Sequence, residues 1–195
     1  MKKGRLTREM ILEKAAGLFN SRGYFGASMS DVMEATGLEK GGIYNHFGSK
    51  DELALAAFDY AVSVNGQKIK TNIDNASSAT EKLNTFLDTF CDMIKNPIIP
   101  GGCPLLNCAV ESDDAHPELR ARVQQAMTRF LGLIETVVAG GIESGEFQAS
   151  ITPNAVAITI VSTIEGSIML SKLYENPAHM ETVINHLKRY IATLR

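Results

Sequence analysis

Residues 28–53, SMSDVMEATGLEKGGIYNHFGSKDEL, decide the fold. The stretch opens on Ser28 with Asp31 three positions later. At that spacing a hydroxyl accepts from a helix's third backbone N–H while the acid reaches back to the cap. The helix so started runs to Gly37, a residue that tolerates the left-handed backbone of a sharp turn. A second, short helix is expected over about Lys40 to Phe47. Val32 and Leu38 would pack inward, and Ile43 and Phe47 would pin the second helix. Lys40, Tyr44, Asn45 and His46 are then left facing outward. Two helices about a tight glycine turn have the dimensions of a helix-turn-helix, an outline that helical bundles of other purposes share. Ser49-x-x-Glu52 repeats the capping pattern and launches a longer helix through Leu53, Ala56, Ala57 and Tyr60.

Upstream, Thr7 is placed to cap a first helix whose Ile11, Ala15, Leu18 and Phe19 share one face and which stops at Gly23. Downstream, a polar break at Asn75–Thr80 precedes a helix through Leu83, Phe86, Leu87 and Phe90 to about Ile94. The stretch NPIIPGG at 96–102 cannot continue it, because its prolines and glycines disrupt helical hydrogen bonding. Helix resumes over Cys103 to Glu111. Asp114 to Pro117 then starts a long helix through Leu119, Val123, Met127, Phe130, Leu131 and Ile134, expected to end before Gly140. Thr152-Pro153 and Asn176-Pro177 each set a capping residue ahead of a proline suited to the first helical position. No strand-like alternation interrupts these patterns. The chain therefore reads all-α, with a three-helix N-terminal head at 1–50 and a C-terminal helical bundle at 51–195.

Composition agrees with a folded protein, with 45% hydrophobic and 21% charged residues. The net charge of −3 counts against a polyanionic partner only on average. Residues 1–50 hold eight basic and five acidic side chains, net +3, and the rest is net −6. Such a split suits a DNA-facing end on a body with another task. Met1 to Arg8 is polar and basic, unlike an export signal. Ala155–Leu173 is apolar but broken by Ser162, Thr163, Glu165, Ser167 and Lys172, so it reads as a buried helix and no membrane is expected. Three cysteines, with Cys103-x4-Cys108 unlike a zinc spacing, suggest a reducing cytoplasm and neither disulfides, metal nor other cofactor.

Residues 7–53, and above all A-T-G-L-x-K-G-x-I-Y-x-H-F-x-S-K-x-x-L at Ala35–Leu53, resemble the DNA-binding head of the TetR family of regulators. The remaining three-quarters resembles that family mainly in helix order and length. The resemblance implies that Ser28 and Thr36 place hydroxyls on phosphates, and that Lys40 and the backbone at Gly41 and Gly42 approach the major groove. It also implies that Tyr44, His46 and Lys50 hold the DNA backbone. Hydroxyls, a phenol and an ammonium are suitable phosphate partners. Asn45 is the candidate for direct readout, since its amide can pair bidentately with adenine. Arg5 would reach DNA from a flexible tail. Glu39 and Gly42 depart from the family pattern, which more often has hydroxyl residues there.

For the body, Val156–Leu173 is apolar on nearly all sides, more than one intramolecular face requires. With Val183, Ile184, Leu187, Tyr190, Ile191 and Leu194 it would form a four-helix bundle between two subunits, as the resemblance implies. Phe86, Phe90, Met93, Leu106, Met127, Phe130 and Met169 would line a pocket for an apolar or aromatic effector. Cys103, following Pro100-Gly101-Gly102, would sit at a helix N-terminus, where the dipole favours thiolate. It offers an alternative: a redox or electrophile switch. A cysteine-dependent enzyme with His116 or Glu111 as base is the remaining rival, for which no orienting group or oxyanion hole is visible. The expected function is an effector-responsive homodimeric repressor, not an enzyme, on a palindromic double-stranded operator.

Overall fold

The computed structural model describes residues 2–112 and 116–195. Among these the chain is helical without strands: α1 (Lys2–Arg22), α2 (Met29–Thr36), α3 (Lys40–Tyr44), α4 (Lys50–Asp74), α5 (Ala79–Lys95), α6 (Pro104–Ser112), α7 (Pro117–Glu143), α8 (Pro153–Leu173) and α9 (Ala178–Ala192). Local chemistry sets most boundaries. Ser28 Oγ accepts from the Asp31 N–H at 3.2 Å, and the Asp31 carboxylate accepts from the Ser28 N–H at 2.7 Å. Ser28's hydroxyl and backbone, then Arg22 at 2.6 Å, hold the Asp31 carboxyl below its usual range. Gly37, at φ 67°, closes α2 by donating to Met33 O. At α4, Ser49 Oγ accepts from the Glu52 N–H at 3.0 Å, while the Glu52 carboxylate takes the Gly48 N–H at 2.8 Å.

Four boundaries differ from the sequence reading. Helix α1 begins at Lys2, so Thr7 is inside it rather than capping it and Arg5 is not on a flexible tail. Helix-favouring Lys, Arg and Leu residues extend the turn, and Arg5 pairs with Glu9 one turn on at 3.6 Å. Helix α3 stops at Tyr44, three residues early, with Asn45 as its cap. Helix α7 continues through Gly140 and Gly141 to Glu143. A β-carbon at 141 would lie 2.3 Å from the Phe147 ring and 2.8 Å from Ala79, so glycine there answers to packing, not to a helix stop. Helix α9 starts one residue after Pro177, with Asn176 Oδ1 accepting from the Ala178 N–H at 3.0 Å. The cap expected from Asp114 lies outside the described residues. His116 Nδ1 accepts from the Leu119 N–H at 3.2 Å at the start of α7.

The chain packs as two compact units, Met1–Asn65 with Ile98–Gln124, and Gly66–Pro97 with Gln125–Arg195. In the first, α1 supplies Ile11, Leu12, Ala15 and Ala16 to a core shared with Val32, Ile43, Phe47, Leu53, Ala57, Ala61 and Ile99. Burying each large member contributes about 1.5–3 kcal/mol. A polar joint fastens the 100–102 turn and α6 to the end of α1. Asn20 Nδ2 donates to Pro100 O at 2.8 Å and Gly102 O at 2.9 Å, and Asn107 Nδ2 donates to Asn20 Oδ1 at 2.9 Å. Gly101, at φ 106°, leaves no room for a side chain, because a β-carbon there would stand 2.4 Å from Asn20 O.

In the second unit, α9 packs on both α5 and α8. Leu83, Phe86, Leu87 and Phe90 of α5, Ile160, Ile164 and Ile168 of α8, and Met180, Ile184, Leu187 and Ile191 of α9 are buried. Ile184, Leu187, Ile191 and Leu194 are thus buried within the protomer, and α9 turns Thr182, Asn185, His186 and Arg189 outward. Helix α8 differs: Ile158, Met169, Leu170 and Leu173 are exposed on it, Leu173 at 69%. Helix α8 is long and apolar enough to cross a membrane, as core helices of folded proteins also are, and half of its apolar window is buried in the fold. Glu146 accepts the Ala79 and Thr80 N–H groups at the start of α5, both at 2.8 Å.

Candidate nucleic-acid interface

Helices α2 and α3 turn about Gly37 so that Val32, Ile43 and Phe47 are sealed inside. On the opposite side Lys40, Gly41 and Asn45 are exposed, Tyr44 is 37% exposed, and Gly42 and His46 are half-buried. A β-carbon on Gly41 would meet nothing within 4 Å, and one on Gly42 only the Leu38 side chain at 3.5 Å. The protein's own packing therefore does not require either glycine; together they leave bare backbone on the outer surface of α3. Glu39 sits at the N-terminus of α3 without a side-chain capping bond, where the helix dipole favours its charge.

The two hydroxyls singled out in the sequence are engaged inside the protein. Thr36 Oγ1 donates to Val32 O at 2.7 Å and accepts from the Leu38 N–H at 3.3 Å. Ser28 Oγ donates to Asp31 Oδ2 at 2.6 Å. A hydroxyl has one proton, so each would have to leave its partner to donate to a phosphate. The cations stand against aromatic rings: Lys40 Nζ is 5.5 Å from the Tyr44 centroid, Lys50 Nζ 4.5 Å from that of Tyr24, and the Arg8 guanidinium 4.7 Å from that of Phe47. Arg5 projects from α1, its side chain 73% exposed. Arg8 and Tyr24 were not singled out by sequence reasoning. The available signal was an aromatic pair, Tyr24-Phe25, in the glycine-flanked turn of a polar segment.

Residues 11–57 match the model of bacterial regulatory proteins of the tetR family, and residues 79–187 match the tetracyclin repressor-like C-terminal domain. The chain belongs to the TetR family. It is similar to a TetR transcriptional regulator from Chloroflexus aurantiacus J-10-FL, with 42% identity over 98% of this chain and 97% of that one and a TM-score of 0.94. An uncharacterised HTH-type transcriptional regulator of Mycobacterium tuberculosis is 26% identical over 94% of this chain and 93% of its own. The TetR-family regulator CifR, as a cysteine mutant complexed with a 26-base-pair operator, shares the fold at a TM-score of 0.82 and 22% identity, covering 93% of this chain and 94% of that one. This TetR-family chain is accordingly a helix-turn-helix transcriptional regulator that binds DNA.

In the body of this TetR-family regulator, the expected effector residues divide between the two units: Cys103 and Leu106 lie in the first, the other six in the second. Phe86, Phe90 and Phe130 come together, with ring centroids 5.0, 5.5 and 5.7 Å apart. Met93 and Met127 are half-buried, and Met169 is 53% exposed on α8, facing away from the protomer's interior. Cys103 is buried immediately before α6, and Asn107 N–H bonds its carbonyl at 3.1 Å. Burial, with Glu111 adding its charge, pushes the Cys108 thiol up to about 12, and burial also raises that of Cys91. Glu111 accepts the Tyr24 and Phe25 N–H groups at 2.8 and 3.0 Å. Among the described residues no cluster of His, Cys, Asp and Glu is arranged to hold a metal ion.

Proposed function

We propose that this TetR-family chain is an effector-responsive homodimeric repressor that holds a palindromic operator through paired α3 helices. The observation that carries the reading is the division of α3. Ile43 anchors it in the core while Lys40, Tyr44 and Asn45, with the bare backbone of Gly41 and Gly42, face out. That surface suits a major groove: glycine permits close approach and brings Lys40 with it, Asn45 offers a bidentate amide for adenine, and Tyr44, His46 and Lys50 suit phosphates. Arg5, Ser28 and Thr36 complete the phosphate contacts, the two hydroxyls by exchanging an internal bond for an external one. The operator-bound state of CifR supports double-stranded DNA as the partner.

Two recognition helices must stand about 34–36 Å apart, or a multiple of it, to enter successive grooves, which calls for a dimer. The exposed apolar stripe of α8 supports a two-fold contact between copies. The aromatic trio of Phe86, Phe90 and Phe130 supports an apolar or aromatic effector, with Met93 and Met127 adapting around it. An effector that prefers a form with wrongly spaced recognition helices lowers operator affinity by linkage. Such a regulator works in the cytoplasm and catalyses nothing. Glu111 and His116, the bases an enzyme would need, are occupied by backbone N–H groups. The position of Cys103 ahead of α6 favours the electrophile alternative; a Cys103→Ser protein that still responds to its effector removes it.

The deciding experiment sequences genomic fragments retained by the protein, then measures Asn45→Ala and Lys50→Ala on the recovered site and on random duplex. Lys50→Ala should weaken both equally, whereas Asn45→Ala should relax preference at one base pair, by about 1–3 kcal/mol. Equal losses on both duplexes for Asn45→Ala would refute its readout role.

A further inference from the structure

Tyr24 lies in the turn after α1 and is held by groups from several elements of the first unit. Its ring stands 6.4 Å from that of Phe19 and meets Phe25 and His116 edge-on, at 4.9 and 5.1 Å between centroids. Its backbone N–H is bound by Glu111 of α6 at 2.8 Å. Its ring takes the Lys50 ammonium at 4.5 Å from the centroid, and its phenol donates to the Asp51 carboxylate. Lys50 and Asp51 are the first two residues of α4 and carry opposite charges.

An ammonium and a carboxylate on neighbouring residues attract one another, and a lysine paired in this way has less to offer a phosphate. One aromatic residue engages both. Its π face draws the cation, and its hydroxyl donates one hydrogen bond to the anion, so the two charges are held at different parts of one ring. We propose that Tyr24 is a positioning residue for DNA binding, holding the Lys50 ammonium ready for phosphate and directing Asp51 to the phenol instead of to Lys50, with Glu111 fixing Tyr24 from α6. Burial first, and then the Asp51 bond, push the phenol up to about 12, so it remains a proton donor at neutral pH. The inference rests on the reading that Lys50 contacts DNA.

The test is a double-mutant cycle on the full-length protein with fluorescently labelled random duplex, measured by anisotropy over a series of salt concentrations. Tyr24→Phe keeps the ring and removes the proton. It should weaken binding about three- to tenfold in the parent. The same change should do nothing further in a Lys50→Ala or an Asp51→Asn background. Asp51→Asn should tighten binding more in the Tyr24→Phe protein than in the parent. Glu111→Gln should behave as a weaker Tyr24→Phe. Lys50→Ala should lower the salt slope by about one. A Tyr24→Phe loss of equal size in the Lys50→Ala background would mean that Tyr24 acts only through the fold, and overturns the proposal. So would an unchanged Tyr24→Phe affinity beside a weakened Lys50→Ala. If Lys50→Ala binds like the parent, the reading of Lys50 as a DNA contact fails and this inference falls with it. Asp51 is exposed, so Asp51→Asn tests the same claim should Tyr24→Phe not fold: a large tightening in the parent would show Asp51 already competing, against the proposal.

Discussion

Gly41 is exposed in the first turn of a five-residue helix, with open space where a β-carbon would be. Alanine favours a helix over glycine by about 0.8–1 kcal/mol per residue, so Gly41→Ala should raise the melting temperature. If α3 lies close against base edges, the added methyl holds the backbone away, and duplex affinity should fall about tenfold. A thermal melt and an anisotropy titration on one preparation check both signs; a gain in stability without a loss of binding means that α3 keeps its distance. At this scale, the inward residues Val32, Ile43 and Phe47 were readable because a helix repeats its faces at fixed intervals. The pairing of Tyr24 with Lys50 was not, since the residues belong to different elements and no local periodicity joins them. Nor were the inward bonds of the Ser28 and Thr36 hydroxyls foreseen as rivals to phosphate.

Helix α8 offers the sharpest test at the level of elements. Ile158 and Met169 are 47% and 53% exposed, and the polar or small residues Ala155, Thr159 and Ser162 are exposed on it as well. Such a surface suits close approach of a second helix. Ile158→Glu with Met169→Glu should leave helical content unchanged, since neither side chain is in the core, and reduce the proposed dimer to a monomer. Light scattering after size exclusion reads the mass; a double variant still dimeric would place the contact elsewhere. The caps of α2 and α4 were legible because side chain and backbone partner lie within four residues, and the start of α8 because the fixed φ of Pro153 suits a first helical turn, although Thr152 makes no side-chain capping bond there. The end of α7 was not, because Gly141 is explained by Phe147 and Ala79 beside it, a packing fact that the helix's own sequence does not contain. The last helix announced an apolar face that reads as intersubunit, yet its own protomer covers Ile184, Leu187, Ile191 and Leu194, because α5 and α8 pack on it, a tertiary fact that periodicity does not carry.

Across the whole molecule, several titrating groups set the pH range of stability. Asp31 and Glu81 are lowered chiefly by the Ser28 and Ser77 bonds respectively. For Glu146 burial opposes the shift, but the Thr80 and Ala79 bonds prevail. The stability these carboxylates contribute is complete above their unfolded values of about 4 and is lost as pH falls through the lowered folded ones. Cys108 and Tyr24 run the other way. Each is raised to about 12, chiefly by burial, so each contributes fully below its ordinary value and loses that contribution as pH climbs towards 12. Urea midpoints from pH 3 to 10.5 should therefore form a plateau with two falling limbs. Glu146→Gln should flatten the acid limb, and Cys108→Ala should flatten the alkaline one. A midpoint independent of pH above about 9 would contradict the buried thiol.

The head of this protein comes first in sequence but is not the first part to be finished. Asn20 finds its hydrogen-bond partners 80 to 87 positions later, and the turn at Tyr24 waits for Glu111. At a synthesis rate of about 5–20 residues per second, the nascent head waits several seconds before those partners are made. In that interval the turn amides of Tyr24 and Phe25 are without their carboxylate. The segment that grips DNA thus reaches its final form only after Glu111, 87 positions beyond Tyr24, has been translated.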